Sequence, residues 1–192
     1  VLAFIGSAGA ADAIKSAHSQ LHRLRGILGL NAKNPAIILP DADIAATVAE
    51  CVKGSLSYNG QRCTALKMIF VHEQIADRFI ADFAAAVNQL PNAFPWRAGA
   101  KLTPLVERDK TLTLAGYVEQ ALAHGAQLAN EDGGDYYATA YHPAVVVNVS
   151  NQMKLYHEEQ FGPIVPIAVV RNTQEFVDYI VASNFGQQAS IF

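Results

Sequence analysis

The sequence has few cysteines, no long apolar run and no excess of positive charge. Its two cysteines, Cys51 and Cys63, provide neither a disulfide framework nor the spacing of a zinc site. Its 14 lysine and arginine residues face 17 aspartate and glutamate residues, so the net charge is −3 and the basic surface of a nucleic-acid binder is missing. No apolar run has the length that a membrane-spanning helix needs, and the N-terminus does not look like a signal peptide. We therefore expect a cytoplasmic protein that binds neither nucleic acid nor membrane.

Apolar periodicity indicates an α/β fold. Hydrophobic residues make up 51% of the chain and charged residues 16%, which is ample for a sizeable core. Strands that alternate with helices are typical of a largely parallel, twisted sheet. The pattern predicts helices at 10–25, 44–57, 74–90, 106–124 and 173–183, and strands at 67–72, 126–129, 141–149, 164–170 and 189–192.

A small polar loop at 57–65 carries Cys63 between two apolar runs. Only a thiolate is a strong nucleophile, and a neighbouring cation favours the thiolate, so Arg62 beside Cys63 indicates an activated thiol. The alternative is an inert cysteine that packs as a small hydrophobe. Cys51 fits that alternative because apolar residues surround it at helical spacing, whereas the neighbours of Cys63 are polar. Cys63 is therefore the candidate nucleophile.

Three further patterns allow both a functional and a structural interpretation. Gly6 and Ser7 lie between a strand and a helix, where N–H groups and the helix dipole attract an anion, but a plain turn has the same pattern. His18 and His22 are four residues apart and could bind a metal, yet no third ligand is near, which favours a solvated face. The glutamate pair at 158–159 is either a rigid turn with one carboxylate inward or a solvated acidic loop.

Four sequence blocks resemble the aldehyde dehydrogenase superfamily. The run NGQRCTA at 59–65 resembles its cysteine motif, and EEQFGP at 158–163 resembles its glutamate block. FIGS at 4–7 is similar to its F-T-G-S turn, and 184–192 is similar to its N/Y-G-L-x-A-S-V-F segment. The blocks keep the order of the superfamily and reach both ends of the chain, which makes the resemblance specific.

Within the superfamily, the chain most resembles the NADP-dependent non-phosphorylating glyceraldehyde-3-phosphate dehydrogenases, through Arg62, Lys67, 102–105 and 185–192. In that branch, basic residues near the cysteine help to bind the substrate phosphate, which implies substrate contacts at Arg62 and Thr64. Semialdehyde dehydrogenases share the G-Q-R-C-T string, so both substrate classes stay open.

The resemblance implies a three-layer catalytic domain, with a mostly parallel twisted sheet between helices and no metal. Residues 1–30 would be the C-terminal end of the cofactor-binding domain. Residues 31–192 would be the catalytic domain, truncated before the oligomerisation tail and inactive alone. The full-length protein would be a homodimer or homotetramer. Its cofactor would be NADP or NAD, contacted by Gly6, Ser7, Glu159 and Phe161.

The implied reaction is the oxidation of an aldehyde to a carboxylic acid. Cys63 would form a thiohemiacetal, hydride would pass to NAD(P), and water would release the resulting thioester. A gap-free comparison anchored at Lys33 and Pro35 puts Gly29 where the family has the glutamate that activates this water, and glycine cannot act as a base. Three alternatives stay open: another carboxylate replaces that glutamate, coenzyme A takes the acyl group, or the chain is a degenerate fold that serves binding or structure.

Overall fold

The computed structural model describes residues 1–192, which divide into a small unit, Val1–Ala32, and a larger unit, Lys33–Phe192. In the small unit, the strands β1 (Leu2–Ile5) and β2 (Gly26–Gly29) pair in parallel, and the helix α1 (Ala8–Ser16) connects them. A parallel pair needs a crossover of this kind, because the chain must return to the end of the sheet at which it began.

The prediction of one helix over 10–25 is wrong. The helix α1 ends at Ser16, and only a 3-10 turn at Leu21–Arg23 follows it. Nδ1 of His18 accepts a hydrogen bond from the Gln20 N–H at 3.1 Å, which gives this N–H a partner outside a helix. The apolar periodicity continues past the end of the helix, and for that reason it cannot reveal where the chain turns back towards β2.

The larger unit is built on a six-stranded sheet and a separate hairpin. Its strands are β3 (Asn34–Ile38), β4 (Leu66–His72), β5 (Gln127–Leu128), β6 (Tyr136–Tyr137), β7 (Ala140–Tyr141), β8 (Ala144–Val147), β9 (Ile164–Val170) and β10 (Ser190–Ile191). The sheet has the order β10-β3-β4-β9-β8-β5, and each neighbouring pair is parallel except β5 with β8. The hairpin consists of β6 and β7. The prediction of a mostly parallel sheet is confirmed.

Five helices connect the strands of this unit. They are α2 (Ile44–Leu56), α3 (Glu73–Asn88), α4 (Lys110–Ala123), α5 (Lys154–His157) and α6 (Thr173–Ala182). Side chains before α2 and α3 cap the first turns: Asp43 accepts a hydrogen bond from the Ala46 N–H, and His72 accepts one from the Gln74 N–H. The short helix α5 was not predicted, and α4 begins four residues later than the prediction. None of the helices combines the length and apolar character that crossing a lipid bilayer requires.

The sheet lies between two helical layers, as the three-layer prediction requires. Successive side chains of a strand face opposite sides of its sheet, and in β4 this alternation separates Ile69 and Val71 from Met68 and Phe70. The first pair belongs to a buried cluster with residues of α2 and α3, and the second pair to a cluster with residues of α4, α5 and α6. Cys51 is fully buried in the first cluster, so its assignment to the core is confirmed.

The strand order brings the two main motifs to one edge of the sheet. The loop of Cys63 ends where β4 begins, and the glutamate block at 158–163 ends where β9 begins. Because β4 and β9 are parallel neighbours, with Ile69 opposite Ile167, their amino ends lie side by side. Two blocks that are distant in the sequence are therefore adjacent in the fold.

Candidate active site

The loop before Cys63 has an uncommon backbone conformation that its neighbours hold in place. Tyr58, Asn59 and Gly60 all have positive φ angles, of 54°, 58° and 68°. Side-chain contacts stabilise the turn: Asn59 donates a hydrogen bond to the Thr103 hydroxyl at 3.1 Å and accepts one from the Thr103 N–H at 2.9 Å. Residues in this region are strained unless their surroundings fix them, so the loop conformation is specified by tertiary contacts.

Gly60 marks the closest approach of the cysteine loop to the glutamate block. A Cβ atom at this position would lie 2.7 Å from the carbonyl oxygen of Gly162 and 2.8 Å from that of Ser55. Only glycine allows the two backbones to come this near while it also adopts a positive φ. The two blocks are therefore in direct backbone contact.

Cys63 has an exposed side chain and an anchored backbone. Its carbonyl oxygen accepts a hydrogen bond from Nδ2 of the buried Asn34 at 2.7 Å, and the same amide donates to the Ala65 carbonyl at 2.9 Å. Cys51 differs because burial, and after it the charge of Glu50, raises the pKa of its thiol to about 12. Of the two cysteines, only Cys63 is exposed.

The neighbours of Cys63 make contacts of their own. The guanidinium carbon of Arg62 lies 5.5 Å from the centre of the Tyr58 ring, and Nε of Arg62 is buried without a hydrogen-bond partner. The Thr64 carbonyl accepts a hydrogen bond from Gln188 at 2.7 Å, which ties the cysteine loop to the segment at 184–192. Arg62 therefore has unused donor capacity beside the nucleophile candidate.

The two adjacent glutamates have different environments, as a rigid turn requires. The carboxylate of Glu159 is 7% exposed and lies 3.2 Å from Nζ of Lys67. Glu158 is exposed and accepts a hydrogen bond from the Tyr117 hydroxyl at 2.8 Å, and burial together with this bond raises the pKa of Tyr117. Phe161 has a φ of 41°, and its ring centre lies 5.6 Å from Nζ of Lys67.

Lys67 joins the two blocks, and sequence reasoning noted it only as a mark of resemblance. Its ammonium group pairs with Glu159 and donates hydrogen bonds to the carbonyl oxygens of Arg62 and, at 3.5 Å, Cys63. Burial lowers the pKa of Lys67 and the charge of Glu159 opposes this effect, so the ion pair favours the charged form. A lysine inside an otherwise apolar strand was the signal that could have identified it.

A second buried polar group supports the same edge of the sheet. Gln160 donates hydrogen bonds to the carbonyl oxygens of Lys67 and Ile164, at 3.1 and 2.8 Å, and it accepts one from Nζ of Lys33 at 2.6 Å. Lys33 is 1% exposed, and burial, followed by the charge of Lys67, holds its pKa well below the ordinary value. Sequence reasoning did not assign a role to Gln160 or a partner to Lys33.

The small unit contains the two predicted cofactor contacts in its first turn. Ser7 caps α1, because its hydroxyl accepts a hydrogen bond from the Ala10 N–H at 3.2 Å. The Gly6 N–H donates to the Gly29 carbonyl at 3.0 Å, at the end of the β1–β2 pair. Gly29 is the last residue of β2 and lies opposite Ile5. As a glycine, it has no ionisable side chain.

A cavity of about 730 Å³ adjoins the cysteine loop. It is lined by Ser57, Tyr58 and Asn59 of the loop and by two exposed lysines, Lys53 and Lys101. Neither lysine takes part in an ion pair. Apolar side chains also line it, namely Ala49, Val52, Leu56, Leu90 and Ala100, whereas Cys63 and Arg62 do not. The cavity therefore combines two unpaired lysines with an apolar wall. No group of three or more histidine, cysteine, aspartate or glutamate side chains is arranged to hold a metal ion.

Comparisons with known proteins bear on the family of the chain. The family model described as "Aldehyde dehydrogenase family" matches residues 1–192. Over 168 residues, or 86% of the chain, it is 34% identical to an NADP-dependent glyceraldehyde-3-phosphate dehydrogenase from Streptococcus equinus, of which it covers 34%. Over 169 residues, also 86% of the chain, it is 34% identical to a succinate semialdehyde dehydrogenase [NAD(P)+] from Escherichia coli (strain K12), of which it covers 36%.

Solved structures give the same result for the fold. An NADP-dependent glyceraldehyde-3-phosphate dehydrogenase from Bacillus halodurans C-125, complexed with NADP, superposes with a TM-score of 0.90 and 33% identity. The match covers 99% of this chain and 39% of that one. The chain thus spans little more than a third of the length of the relatives that it matches.

Proposed function

The chain belongs to the aldehyde dehydrogenase family, and on that premise we propose that it is the cysteine-bearing part of an enzyme that oxidises an aldehyde to a carboxylic acid. The oxidant is NADP or NAD. One observation carries the proposal: Lys67 connects the loop of an exposed Cys63 to Glu159, whose side chain is 7% exposed, at one edge of the sheet. Residues 1–30 then end the cofactor-binding domain, and 31–192 form the catalytic domain.

Cys63 is the nucleophile in this proposal. Its sulfur attacks the aldehyde carbon, a C–S bond forms, and the carbonyl oxygen takes a negative charge that the Cys63 N–H can stabilise. Hydride leaves that carbon and a thioester remains on the sulfur; water then attacks the thioester and frees the acid. Because Gly29 provides no base for this last step, we expect hydrolysis of the thioester by this chain to be slow.

Glu159 and Phe161 have the chemistry to contact a cofactor. A carboxylate offers about four acceptor sites, so Glu159 can accept hydrogen bonds from ribose hydroxyls while it is paired with Lys67. The aromatic ring of Phe161 beside it can pack against the nicotinamide, and Gly6 with Ser7 can bind phosphate at the start of α1. When bound, the nicotinamide supplies the hydride acceptor. The choice between NADP and NAD follows from the names of the relatives, which favour NADP.

We assign an anionic aldehyde as the substrate, with glyceraldehyde 3-phosphate preferred over succinic semialdehyde. The support is the unpartnered Nε of Arg62, the residue next to Cys63, together with Lys53 and Lys101 in the cavity that adjoins the loop. Both compounds carry an anion, and the similarity to the two classes of relatives fits either one. The guanidinium geometry of Arg62 favours phosphate or carboxylate over a neutral group.

Protection of Cys63 from alkylation tests the substrate class. An aldehyde that forms a thiohemiacetal blocks the sulfur, so glyceraldehyde 3-phosphate should slow iodoacetamide labelling of Cys63 at lower concentration than uncharged glyceraldehyde. Lys53→Gln should weaken protection by the phosphate compound and leave protection by glyceraldehyde unchanged. Equal protection by the two aldehydes would reject the anionic substrate.

p-Nitrophenyl acetate tests the nucleophile on the chain itself, because this ester acylates a reactive cysteine without a cofactor. We expect a burst of about one p-nitrophenolate per chain, followed by slow turnover, since no base at position 29 activates water. Mass spectrometry should find the acetyl group on Cys63. Cys51→Ala is the matched control and should keep the burst, whereas Cys63→Ala should lose it.

Two results would contradict the enzyme assignment. One is acylation of Cys63 no faster than that of glutathione under the same conditions. The other is acetyl groups distributed over lysines without preference for the cysteine. Either result would favour a fold that serves binding or structure, an interpretation that the dehydrogenase relatives do not support. The assembly of the full-length protein as a homodimer or homotetramer stays a prediction.

A further inference from the structure

Lys67 is a buried cation whose hydrogen-bonding capacity is used within the site. It is 1% exposed, at the second position of a strand that is otherwise apolar up to His72. An ammonium group has three N–H donors, and Nζ of Lys67 has three partners: the Glu159 carboxylate and the carbonyl oxygens of Arg62 and Cys63. The charge is paired, and each donor is directed at the junction of the two blocks.

The fold alone does not require a charge at this position. A buried ion pair is often no better for stability than apolar side chains of the same size, because both charges lose their hydration. Burial accordingly lowers the pKa of Lys67, and Glu159 counteracts that effect. A methionine would continue the apolar pattern of β4, so the lysine needs an explanation in what its ammonium group contacts.

The contact with Arg62 bears on the peptide unit that carries the Cys63 N–H. In a trans peptide, the carbonyl and the N–H point in opposite directions, and no peptide bond in the chain is cis. The Arg62 carbonyl and the Cys63 N–H belong to the same peptide unit. Nζ of Lys67 shares that carbonyl with the Ala65 N–H, which donates to it at 3.2 Å. Both donors direct the Cys63 N–H away from themselves, and the ammonium group adds the charge that polarises the peptide. The Cys63 N–H has no acceptor within the chain.

We propose that Lys67 is a positioning residue that orients and polarises the Arg62–Cys63 peptide, so that the Cys63 N–H is prepared to stabilise a negative oxygen. Glu159 lies 3.2 Å from Nζ of Lys67 and favours the charged form of the lysine in the buried site. This inference rests on the proposed function, because an oxyanion develops only if Cys63 attacks a carbonyl carbon. Lys67 itself touches neither the reacting carbon nor the sulfur.

Two reagents separate this role from a general effect on the thiol. Acetylation by p-nitrophenyl acetate passes through a tetrahedral oxyanion, whereas alkylation by iodoacetamide displaces iodide and forms no oxyanion. A change in the reactivity or exposure of Cys63 moves both rates. Loss of the oriented N–H lowers only the acetylation rate.

The variant Lys67→Met/Glu159→Gln removes the cation without leaving a buried carboxylate unpaired. We expect its acetylation rate to fall about tenfold or more, since loss of a whole oxyanion donor costs on the order of 10² to 10³. Its alkylation rate should fall less than its acetylation rate, because alkylation loses only the charge that Lys67 places near Cys63, whereas acetylation also loses the oriented oxyanion donor. Lys67→Arg keeps the charge and should restore most of the acetylation rate.

Lys33→Met is the matched control. It also replaces a buried lysine, but Nζ of Lys33 donates to Gln160 and not to the cysteine loop. We expect it to leave the ratio of the two rates unchanged. Circular dichroism would verify the fold of each variant, and if the double variant does not fold, Lys67→Gln carries the same comparison.

The proposal is overturned if the two rates of the Lys67 variants fall together, or if acetylation is unaffected. It is also overturned if Lys33→Met lowers acetylation selectively to the same extent. These results are distinct from failure of the proposed function, in which the parent chain itself shows no selective acetylation of Cys63.

Discussion

Gly60→Ala should destabilise the chain through one defined contact. Gly60 has a φ of +68°, and its added Cβ would lie 2.7 Å from the Gly162 carbonyl oxygen and 2.8 Å from that of Ser55. Both obstacles are backbone atoms, so no side chain can rotate out of the way. The cysteine loop and the glutamate block would have to separate, or the turn would have to unwind.

The magnitude follows from two contributions. An alanine in the left-handed region costs about 1 kcal/mol. Relief of a contact that is too close in a packed region costs about 1 to 3 kcal/mol more. The expected loss is therefore about 2 to 4 kcal/mol, a large part of the roughly 5 to 15 kcal/mol by which domains are stable.

Gly99→Ala carries only the first contribution, so its difference from Gly60→Ala measures the second. Gly99 also has a positive φ, of +82°, but a Cβ there would have no heavy atom within 4 Å. It should therefore lose only about 1 kcal/mol. Urea unfolding followed by circular dichroism gives both free energies of unfolding. Iodoacetamide labelling of folded Gly60→Ala should also change, because the loop that carries Cys63 moves.

Equal losses for the two alanine variants would refute the reasoning. They would mean that the backbone contact between Gly60 and Gly162 has no energetic weight. A Gly60→Ala variant that keeps the parent stability and the parent labelling rate would further show that the two blocks are not held together at this point.

Three further predictions concern single groups. Iodoacetamide should label Cys63 in the folded chain and Cys51 only after unfolding, because burial raises the pKa of the Cys51 thiol to about 12; mass spectrometry that finds comparable labelling contradicts this. Asn34→Ala removes the donor to the Cys63 and Ala65 carbonyls and should lower the free energy of unfolding in urea by about 1 to 3 kcal/mol. A free energy of unfolding equal to that of the parent chain would show that these hydrogen bonds do not stabilise the loop. Burial holds the pKa of Lys33 below the ordinary value of 10.5. At pH values between that lowered pKa and 10.5, the unfolded chain therefore binds a proton at Lys33 that the folded chain lacks. The free energy of unfolding then rises with pH by up to about 1.4 kcal/mol per pH unit. Lys33→Met should make this rise less steep, while Lys67 and Lys110, whose pKa values burial also lowers, keep part of it. Unfolding curves at a series of alkaline pH values would exclude the idea if the slopes of the parent and the variant are equal.

The fold was largely predictable because local patterns determine it. The apolar runs of β4 and β9 and the helical spacing in α2 and α3 are properties of neighbouring residues, and these elements are found where they are expected. The strands β2, β3, β6 and β7 are not among those expected, and the strand expected at 141–149 is reduced to β8 at Ala144–Val147. The end of α1 was not predictable, because the apolar stripe continues while His18 bonds to the Gln20 N–H. Periodicity reports which face is apolar and not where the backbone leaves the helix.

The site was predictable only in part, for a different reason. Motif chemistry identified Cys63 and Glu159 separately, but their connection through Lys67 depends on which strands are neighbours. Sequence reasoning assigned the activating charge to the adjacent Arg62, whose guanidinium lies over the Tyr58 ring. Adjacency in sequence does not determine where a long side chain points, and the role of Arg62 in substrate binding stays a prediction.

The register of β4 against β9 links the hydrophobic core to the site. A slip by one residue would exchange the two faces of β4 and move Ile69 and Val71 from one buried cluster to the other. The same register fixes the distance between the amino ends of these strands, where the cysteine loop and the glutamate block enter the sheet. The ion pair of Lys67 with Glu159 is too costly to bury to impose this alignment by itself. It follows that core packing sets the separation of the two blocks, and that Lys67 refines the orientation of groups which the core has already brought together.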